Sequence, residues 1–231
     1  MKRKKVVFVS RFKGFDKIEE LRPYPANKYM PAWYKKMPID HGRTIGLKDK
    51  LIPNLRTVKL CPSFHHIFSE GFILPAPCDL YLSVNDDAWS WRTANHNFSF
   101  EIHDNDQMIS YLPDDAGVRQ VFKFLYPYEI IAPKGYSIRQ IPMIYDFNKD
   151  WHVGYGVFDA DRLPEIALQI YYTSDKDEIL IKAGTPLCYY VPFKREKFKL
   201  SIGSFKKYET WINASQHRAF TSFKLSYRRW F

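Results

Sequence analysis

The architecture of this chain is clearest in Gly154-Tyr-Gly-Val-Phe-Asp-Ala-Asp-Arg-Leu-Pro-Glu-Ile-Ala-Leu-Gln-Ile-Tyr-Tyr172 and, further along, in Ile181-Lys-Ala-Gly-Thr-Pro-Leu-Cys-Tyr-Tyr-Val-Pro-Phe193. Each run combines turn residues with a short apolar strand pattern. Two carboxylates, Asp159 and Asp161, stand in the turn of the first run. The pattern predicts a β-hairpin whose rim holds a small polar ligand.

Composition predicts a globular protein that is rich in sheet. The 231 residues suffice for one large β domain, or for a domain with an arm. Aromatic residues make up 17% of the chain, and they favour pleated, half-buried surfaces. The net charge of +10 is compatible with a nucleic acid or an acidic partner. Because the basic residues gather near both ends, we favour solvated charge over a binding stripe.

Cysteine usage and hydropathy indicate a soluble, intracellular protein. Cys61, Cys78 and Cys188 are far apart and form no Cys-x-x-Cys motif, which favours reduced thiols. The apolar run near Met1 is too short for a signal peptide. No run approaches the roughly 18 apolar residues that a membrane span needs.

The first part of the chain, residues 1–55, is predicted to be an extended arm. A strand is expected over Lys5–Ser10, followed by the proline- and tyrosine-rich segment Leu21–Pro38. Prolines exclude a long helix there, but a short one fits at Ala32–Lys36.

Residues 56–199 form the predicted body and residues 200–231 a helical tail, together one compact domain. A helix with Ser63 as its N-cap and Gly71 as its stop should open the body. Tail helices are expected over Lys206–Trp211 and Ala214–Trp230, packed on the sheet. The short strands of the body indicate an antiparallel barrel or sandwich. The predicted strands are Asp79–Val84, Ala88–Arg92, Asn97–His103, Val118–Phe124, Gly135–Ile141, Glu165–Tyr172 and Glu178–Lys182.

Four runs in one order carry a resemblance over nearly the whole chain. They are Thr57–Phe64, Ser69–Tyr81, Phe124–Ser137 and Gly184–Arg195. Together they resemble a family of proteins without an assigned activity from tailed phages of marine cyanobacteria and marine metagenomes. The resemblance implies a phage genome, and hence a protein of the host cytoplasm or of the virion.

A second resemblance concerns the fold and a possible ligand site. The runs Ala76–Leu80, Pro133–Tyr136, Gly156–Ile166 and Ile181–Leu187 resemble, in order, the first four motifs of trimeric dUTPases. This implies a β-clip body, mainly β, with an N-terminal arm and a C-terminal helical tail. In dUTPases the aspartate at the position of Asp159 orients the attacking water and contacts the sugar. The candidate ligand-binding residues are Asp79, Tyr136, Asp159, Asp161 and Arg162.

Departures from the dUTPase motifs predict that the hydrolytic reaction is lost. Arg162 replaces the tyrosine that packs on the sugar, and Arg139 is followed by Gln-Ile-Pro instead of the phosphate-gripping Ser-Gly. Thr185 and Pro186 replace charged residues of the fourth motif, and the glycine-rich fifth motif is absent from the sequence. Phosphoryl transfer depends on positioning and on charge neutralisation, so we lean toward a protein that is not an enzyme.

The sequence gives weaker signals for a metal site and for a base-stacking site. Asp159 and Asp161 suit a metal or a sugar hydroxyl, but aspartates also favour turns, which is the preferred interpretation. His103 and Asp106 have the wrong spacing for an iron oxygenase, so no metal and no cofactor are expected. The pairs Trp89-Ser-Trp91 and Phe98-Ser-Phe100 suit stacked bases or a core face, and their period favours the core.

The leading hypothesis is a non-enzymatic binding or assembly module that forms a homo-oligomer, with other phage proteins as possible partners and no membrane. The arm and the tail would contact neighbouring subunits. The alternative is a nucleotide-pocket protein, either a divergent deoxynucleotide hydrolase or a sensor, which would use Tyr136, Asp159 and Arg162. A nucleic-acid-binding protein is the third hypothesis.

Overall fold

The computed structural model describes residues 4–39, 57–85, 88–95, 98–103 and 105–215. The chain divides into two compact units. The first comprises Met1–Tyr29 and Glu70–Arg195, and the second comprises Met30–Ser69 and Glu196–Phe231.

All strands of the described residues belong to the first unit, and every strand pair is antiparallel. The mainly β, antiparallel class predicted from the sequence is therefore confirmed. The strands are β1 (Val7–Ser10), β2 (Tyr24–Pro25), β3 (Phe72–Pro75), β4 (Leu80–Val84), β5 (Trp89–Thr93), β6 (Phe100–Ile102), β7 (Gln120–Ile131), β8 (Tyr136–Pro142), β9 (Trp151–Val153), β10 (Gly156–Phe158), β11 (Glu165–Tyr172), β12 (Glu178–Ile181) and β13 (Pro186–Lys194).

The strands of the first unit form three sheets. In one sheet β7 pairs with β11 along one edge and with both β1 and β6 along the other. Strand β9 pairs with the opposite edge of β11. A second sheet has the order β10-β8-β13-β3-β2, and a third has the order β12-β4-β5. Several short strands, such as β3 and β9, were not predicted, because runs of three or four residues carry little periodic signal.

The core is organised around β7, which is twelve residues long. Its alternate side chains all point into the core and are at most 2% exposed. They are Phe122, Phe124, Tyr126, Tyr128 and Ile130. Full burial of one large apolar side chain stabilises a fold by about 1.5–3 kcal/mol, so this row contributes substantially to the stability of the first unit.

The hairpin predicted for the two opening runs is wrong, although both runs form strands. Strand β11 pairs with β7 and β9, whereas β13 pairs with β8 and β3 in a different sheet. Strand β11 forms its long register with β7, and β13 forms its long register with β8. Strand β12, which lies between the two runs in sequence, joins a third sheet with β4.

The α-helices of the described residues lie in the second unit, whereas the first unit has only short 3-10 turns. Helix α1 (Ala32–Lys36) has the predicted bounds, and the ring of Tyr34 stacks on that of Phe64 with centroids 4.2 Å apart. Helix α2 (Pro62–Ile67) begins one residue earlier than expected, so Ser63 lies inside it and the N-cap prediction is wrong. Proline is well suited to a first helical position, because the N–H that it lacks would have no partner there.

Helix α3 covers residues 205–215. It includes the predicted helix Lys206–Trp211 and continues into the start of the predicted helix Ala214–Trp230. The rest of the predicted tail helix Ala214–Trp230 lies outside the described residues.

Glycine is required at Gly71, and its substitution tests the close packing of the second sheet. Gly71 has φ +84°, and a Cβ atom there would collide with the carbonyl oxygen of Tyr190. Gly117 has φ +64° but open space around it, so it is a matched control. We expect Gly117→Ala to cost about 1–2 kcal/mol for the left-handed backbone. Gly71→Ala should cost about 1–3 kcal/mol more, because of the collision.

Urea unfolding of both variants measures this difference. Equal losses in the free energy of unfolding would show that the backbone around Tyr190 moves away freely.

Candidate functional site

The two aspartates singled out in the sequence lie in the turn between β10 and β11. The backbone N–H groups of Arg162 and Leu163 donate to the carbonyl oxygen of Asp159 at 2.8 and 2.9 Å. The aspartates therefore occupy a tight turn rather than an extended strand, as the turn interpretation predicted.

The second sheet brings this turn to two other chain segments. Strand β8 lies between β10 and β13, with Phe158 opposite Ile138 and Lys194 opposite Tyr136. The end of β10, the start of β8 and the end of β13 therefore meet at one corner of the sheet. Arg195, the first residue after β13, therefore lies beside Asp159 and Asp161.

Asp161 is the most enclosed charged side chain of this corner, with 6% of it exposed. The guanidinium of Arg195 binds it in a bidentate manner, with Nη1–Oδ1 at 2.8 Å and Nη2–Oδ2 at 2.6 Å. The backbone N–H of Gly135 also donates to Oδ2, at 2.7 Å. These bonds to Arg195 and to Gly135 hold the pKa of Asp161 well below its usual range.

Asp159 is bound through one of its two carboxylate oxygens. The hydroxyl of Ser137 donates to its Oδ1 at 2.6 Å, and Nη1 of Arg195 lies 2.9 Å from the same atom. The hydrogen bond from Ser137 and the charge of Arg195 lower the pKa of Asp159. Its Oδ2 takes no hydrogen bond from the part of the chain that the structure describes, and its side chain is 36% exposed.

Arg195 is the centre of the network, and sequence reasoning missed it. Besides the two carboxylates, its Nη1 reaches the carbonyl oxygen of Tyr136 at 3.2 Å and the hydroxyl of Ser137 at 3.1 Å. The hydrogen bond to Asp161 raises the pKa of Arg195. In the sequence, Arg195 belongs to a run of charged residues that is typical of a solvated surface. Only the register of β13 on β8 shows what it binds.

Tyr136 and Arg162 lie near the network but do not form its centre. The ring of Tyr136 is half-buried against the core, and Nζ of Lys4 lies 4.5 Å from its centroid. Arg162 is exposed, and its charge helps to lower the pKa of Asp159. The structure thus places four of the five candidate residues at one corner.

Asp79, the fifth candidate, has a different role. Its Oδ1 accepts a hydrogen bond of 2.8 Å from the N–H of Ala183, in the turn between β12 and β13. Among the described residues, no hydrogen bond or ion pair joins Asp79 to Arg195 or to the two turn aspartates.

The aromatic pairs divide between core and surface. Phe98 and Phe100 are buried, as the core interpretation predicted. Trp91 packs partly against the same core, whereas Trp89 is 45% exposed at the start of β5.

The described ranges contain neither a cluster of metal ligands nor an apolar helix of membrane length. No group of three or more histidine, cysteine, aspartate or glutamate side chains in these ranges is arranged to hold a metal ion. Nor do these ranges contain a helix with the length and apolar character to cross a membrane. A cavity of about 360 Å³ lies in the first unit, lined mainly by side chains of the segment 109–119, among them Ile109, Leu112 and Arg119, and by Asp175.

Comparison with known proteins returned structural neighbours alone. No protein-family model matches the chain, and no curated protein sequence matches it either. The native EIAV dUTPase is similar with a TM-score of 0.35 and 12% identity, over 58% of this chain and 83% of that one. A D95N mutant dUTPase from phage phi11 of S. aureus is similar with a TM-score of 0.35 and 11% identity, over 60% and 86% of the two chains.

The ion network predicts a defined pH dependence of stability. Because the pKa of Asp161 is lower in the folded state, its contribution is present above the unfolded value of about 3.9 and is lost as pH falls below it. We expect Asp161→Asn to lower the melting temperature at neutral pH. The gap to the wild type should begin to narrow below about pH 4 and should narrow further as pH falls toward the lower folded-state pKa.

Asp159→Asn is the matched control, because this carboxylate is more exposed and binds through one oxygen. It should cost less at every pH. Melting curves recorded by circular dichroism from pH 7 to pH 2.5 decide between these outcomes, and a gap for Asp161→Asn that does not vary with pH would contradict the ion pair.

Proposed function

We propose that this protein is a non-enzymatic assembly module that forms a homo-oligomer, with its C-terminal segment contacting a neighbouring copy. The observation that carries the proposal is a set of apolar side chains left in solvent after β13. Phe198, Leu200 and Ile202 are 89%, 86% and 91% exposed, and Phe205 and Trp211 follow at 61% and 66%.

The spacing of these side chains favours a protein partner. Phe198, Leu200 and Ile202 alternate with Lys197, Lys199 and Ser201, which is the pattern of a half-buried strand. Yet none of the strand pairings of the described residues includes the segment 197–204. A contiguous apolar surface of this kind marks an interaction site, and burying each of these side chains would stabilise a complex by about 1.5–3 kcal/mol.

The ion network supports a function without phosphoryl transfer. Arg195, the cation nearest to the turn aspartates, is bound to Asp159 and Asp161 and to polar groups of β8. The phosphate of a nucleotide could bind Arg195 only by displacing these bonds. The network is therefore better suited to fixing the corner from which the tail departs.

The resemblance of four sequence runs to phage proteins extends the proposal to the setting. We place the protein in the host cytoplasm during infection or in the virion, where other phage proteins are further partners.

Removing the exposed apolar row should abolish the oligomer. We expect the wild-type chain to sediment as an oligomer at micromolar concentration. The triple variant Phe198→Ser, Leu200→Ser, Ile202→Ser should sediment as a monomer with an unchanged circular dichroism spectrum, because these side chains lie outside the core.

The control removes three exposed apolar side chains from the first unit, as Tyr111→Ser, Tyr155→Ser and Leu163→Ser. It should keep the oligomer. A wild-type chain that is monomeric at every concentration would overturn the proposal.

Nucleotide binding is tested by ligand addition. A nucleotide present at a hundredfold excess over its Kd would stabilise the fold by about 2.7 kcal/mol, and the melting temperature would rise. We expect no rise with any deoxynucleoside mono-, di- or triphosphate, because Arg195 is already bound. A clear rise with one nucleotide would favour the nucleotide-pocket alternative.

A further inference from the structure

The net positive charge of the chain belongs to the second unit. That unit contains 15 lysine and arginine residues against four aspartate and glutamate residues, whereas the first unit contains 20 against 21. In the sequence, the basic residues near both ends favoured solvated charge over a binding surface. The structure changes that interpretation, because it groups the basic stretches 30–69 and 196–231 in one unit.

Carboxylates neutralise many of the basic side chains of the first unit. The guanidinium of Arg195 is paired with both turn aspartates. Ion pairs within the same unit also hold Arg11, Arg119, Lys123 and Lys176. The first unit therefore balances its charge internally and has no excess of positive charge to offer a polyanion.

The lysines of the second unit are in a different situation. Six of them are exposed and form no ion pair within the ranges that the structure describes, namely Lys35, Lys36, Lys197, Lys199, Lys206 and Lys207. Like charges that are crowded into one unit repel each other, and a bound polyanion relieves that repulsion. The excess of positive charge in this unit is thus the electrostatic footprint of a site for an anionic polymer.

The lysines of the C-terminal segment are separate from its exposed apolar row. Lys197 and Lys199 alternate with Phe198, Leu200 and Ile202. In an extended chain, alternate side chains point to opposite sides. A neighbouring copy that covers the apolar row therefore leaves these lysines on the other side, where they can bind a second partner.

We propose that the second unit binds the phosphate backbone of nucleic acid without reading its sequence. Each lysine ammonium is a compact charge with three N–H donors, which suits a phosphate oxygen. Contacts to phosphate fix position but carry no sequence information, so the affinity depends on charge and on salt. The inference goes beyond the proposed function and does not depend on it, although an oligomer would present several basic units to one nucleic-acid molecule.

Salt-dependent binding of the full-length chain to a fluorescein-labelled DNA duplex of about 25 base pairs tests the proposal by fluorescence anisotropy. We expect the affinity to fall at least about a hundredfold between about 50 and 200 mM NaCl, because bound phosphates release counterions. One variant replaces four lysines by glutamine, at Lys197, Lys199, Lys206 and Lys207. It should flatten the slope of log affinity against log salt by about 3–4, since each lost phosphate contact removes about 0.9.

The control variant makes the same change of charge at exposed positions of the first unit, as Lys13→Gln, Lys17→Gln, Lys134→Gln and Lys149→Gln. It should keep the wild-type slope. Equal slopes for the two variants, or a wild type that does not bind the duplex, would overturn this inference and leave the proposed function standing.

Competition separates nucleic acid from acidic polymers in general. Unlabelled duplex should displace the labelled duplex at least about tenfold better than poly-L-glutamate of equal total charge, because duplex DNA carries one charge per about 1.7 Å. Equal competition by the two polymers would overturn the assignment to nucleic acid.

Discussion

Burial of the aromatic row of β7 is the constraint on which the first unit depends. Large side chains at alternate positions, from Phe122 to Ile130, must all be removed from water, and a strand that is covered on its core face achieves this. Because β7 is long, it pairs with β1 and β6 along one edge and with β11 along the other. Those pairings commit β11 to this sheet and leave β13 to pair with β8 and β3. The pairings of the longest strand therefore fix the sheet to which β11 belongs.

The ion network follows from this arrangement. Because β8 lies between β10 and β13 and is antiparallel to both, the C-terminal ends of β10 and β13 lie at the same corner of the sheet. There Arg195 binds Asp159 and Asp161. Both carboxylate oxygens of Asp161 accept hydrogen bonds from within the protein, in a bidentate pair with Arg195 and from the N–H of Gly135. The carboxylate therefore stabilises this corner of the fold. A corner fixed in this way holds the point at which the tail leaves the sheet.

The sequence by itself determined the class of fold and many of its elements. Strand β11 and helix α1 have the predicted bounds, because strict alternation and flanking prolines are local signals. It also determined that the aspartates stand in a turn, which depends on residues close in the chain. The tertiary structure alone decided that β11 and β13 lie in different sheets and that Arg195 binds Asp161, 34 residues away. Neither local periodicity nor a run of charge encodes these contacts, because each depends on the register between strands that are distant in sequence.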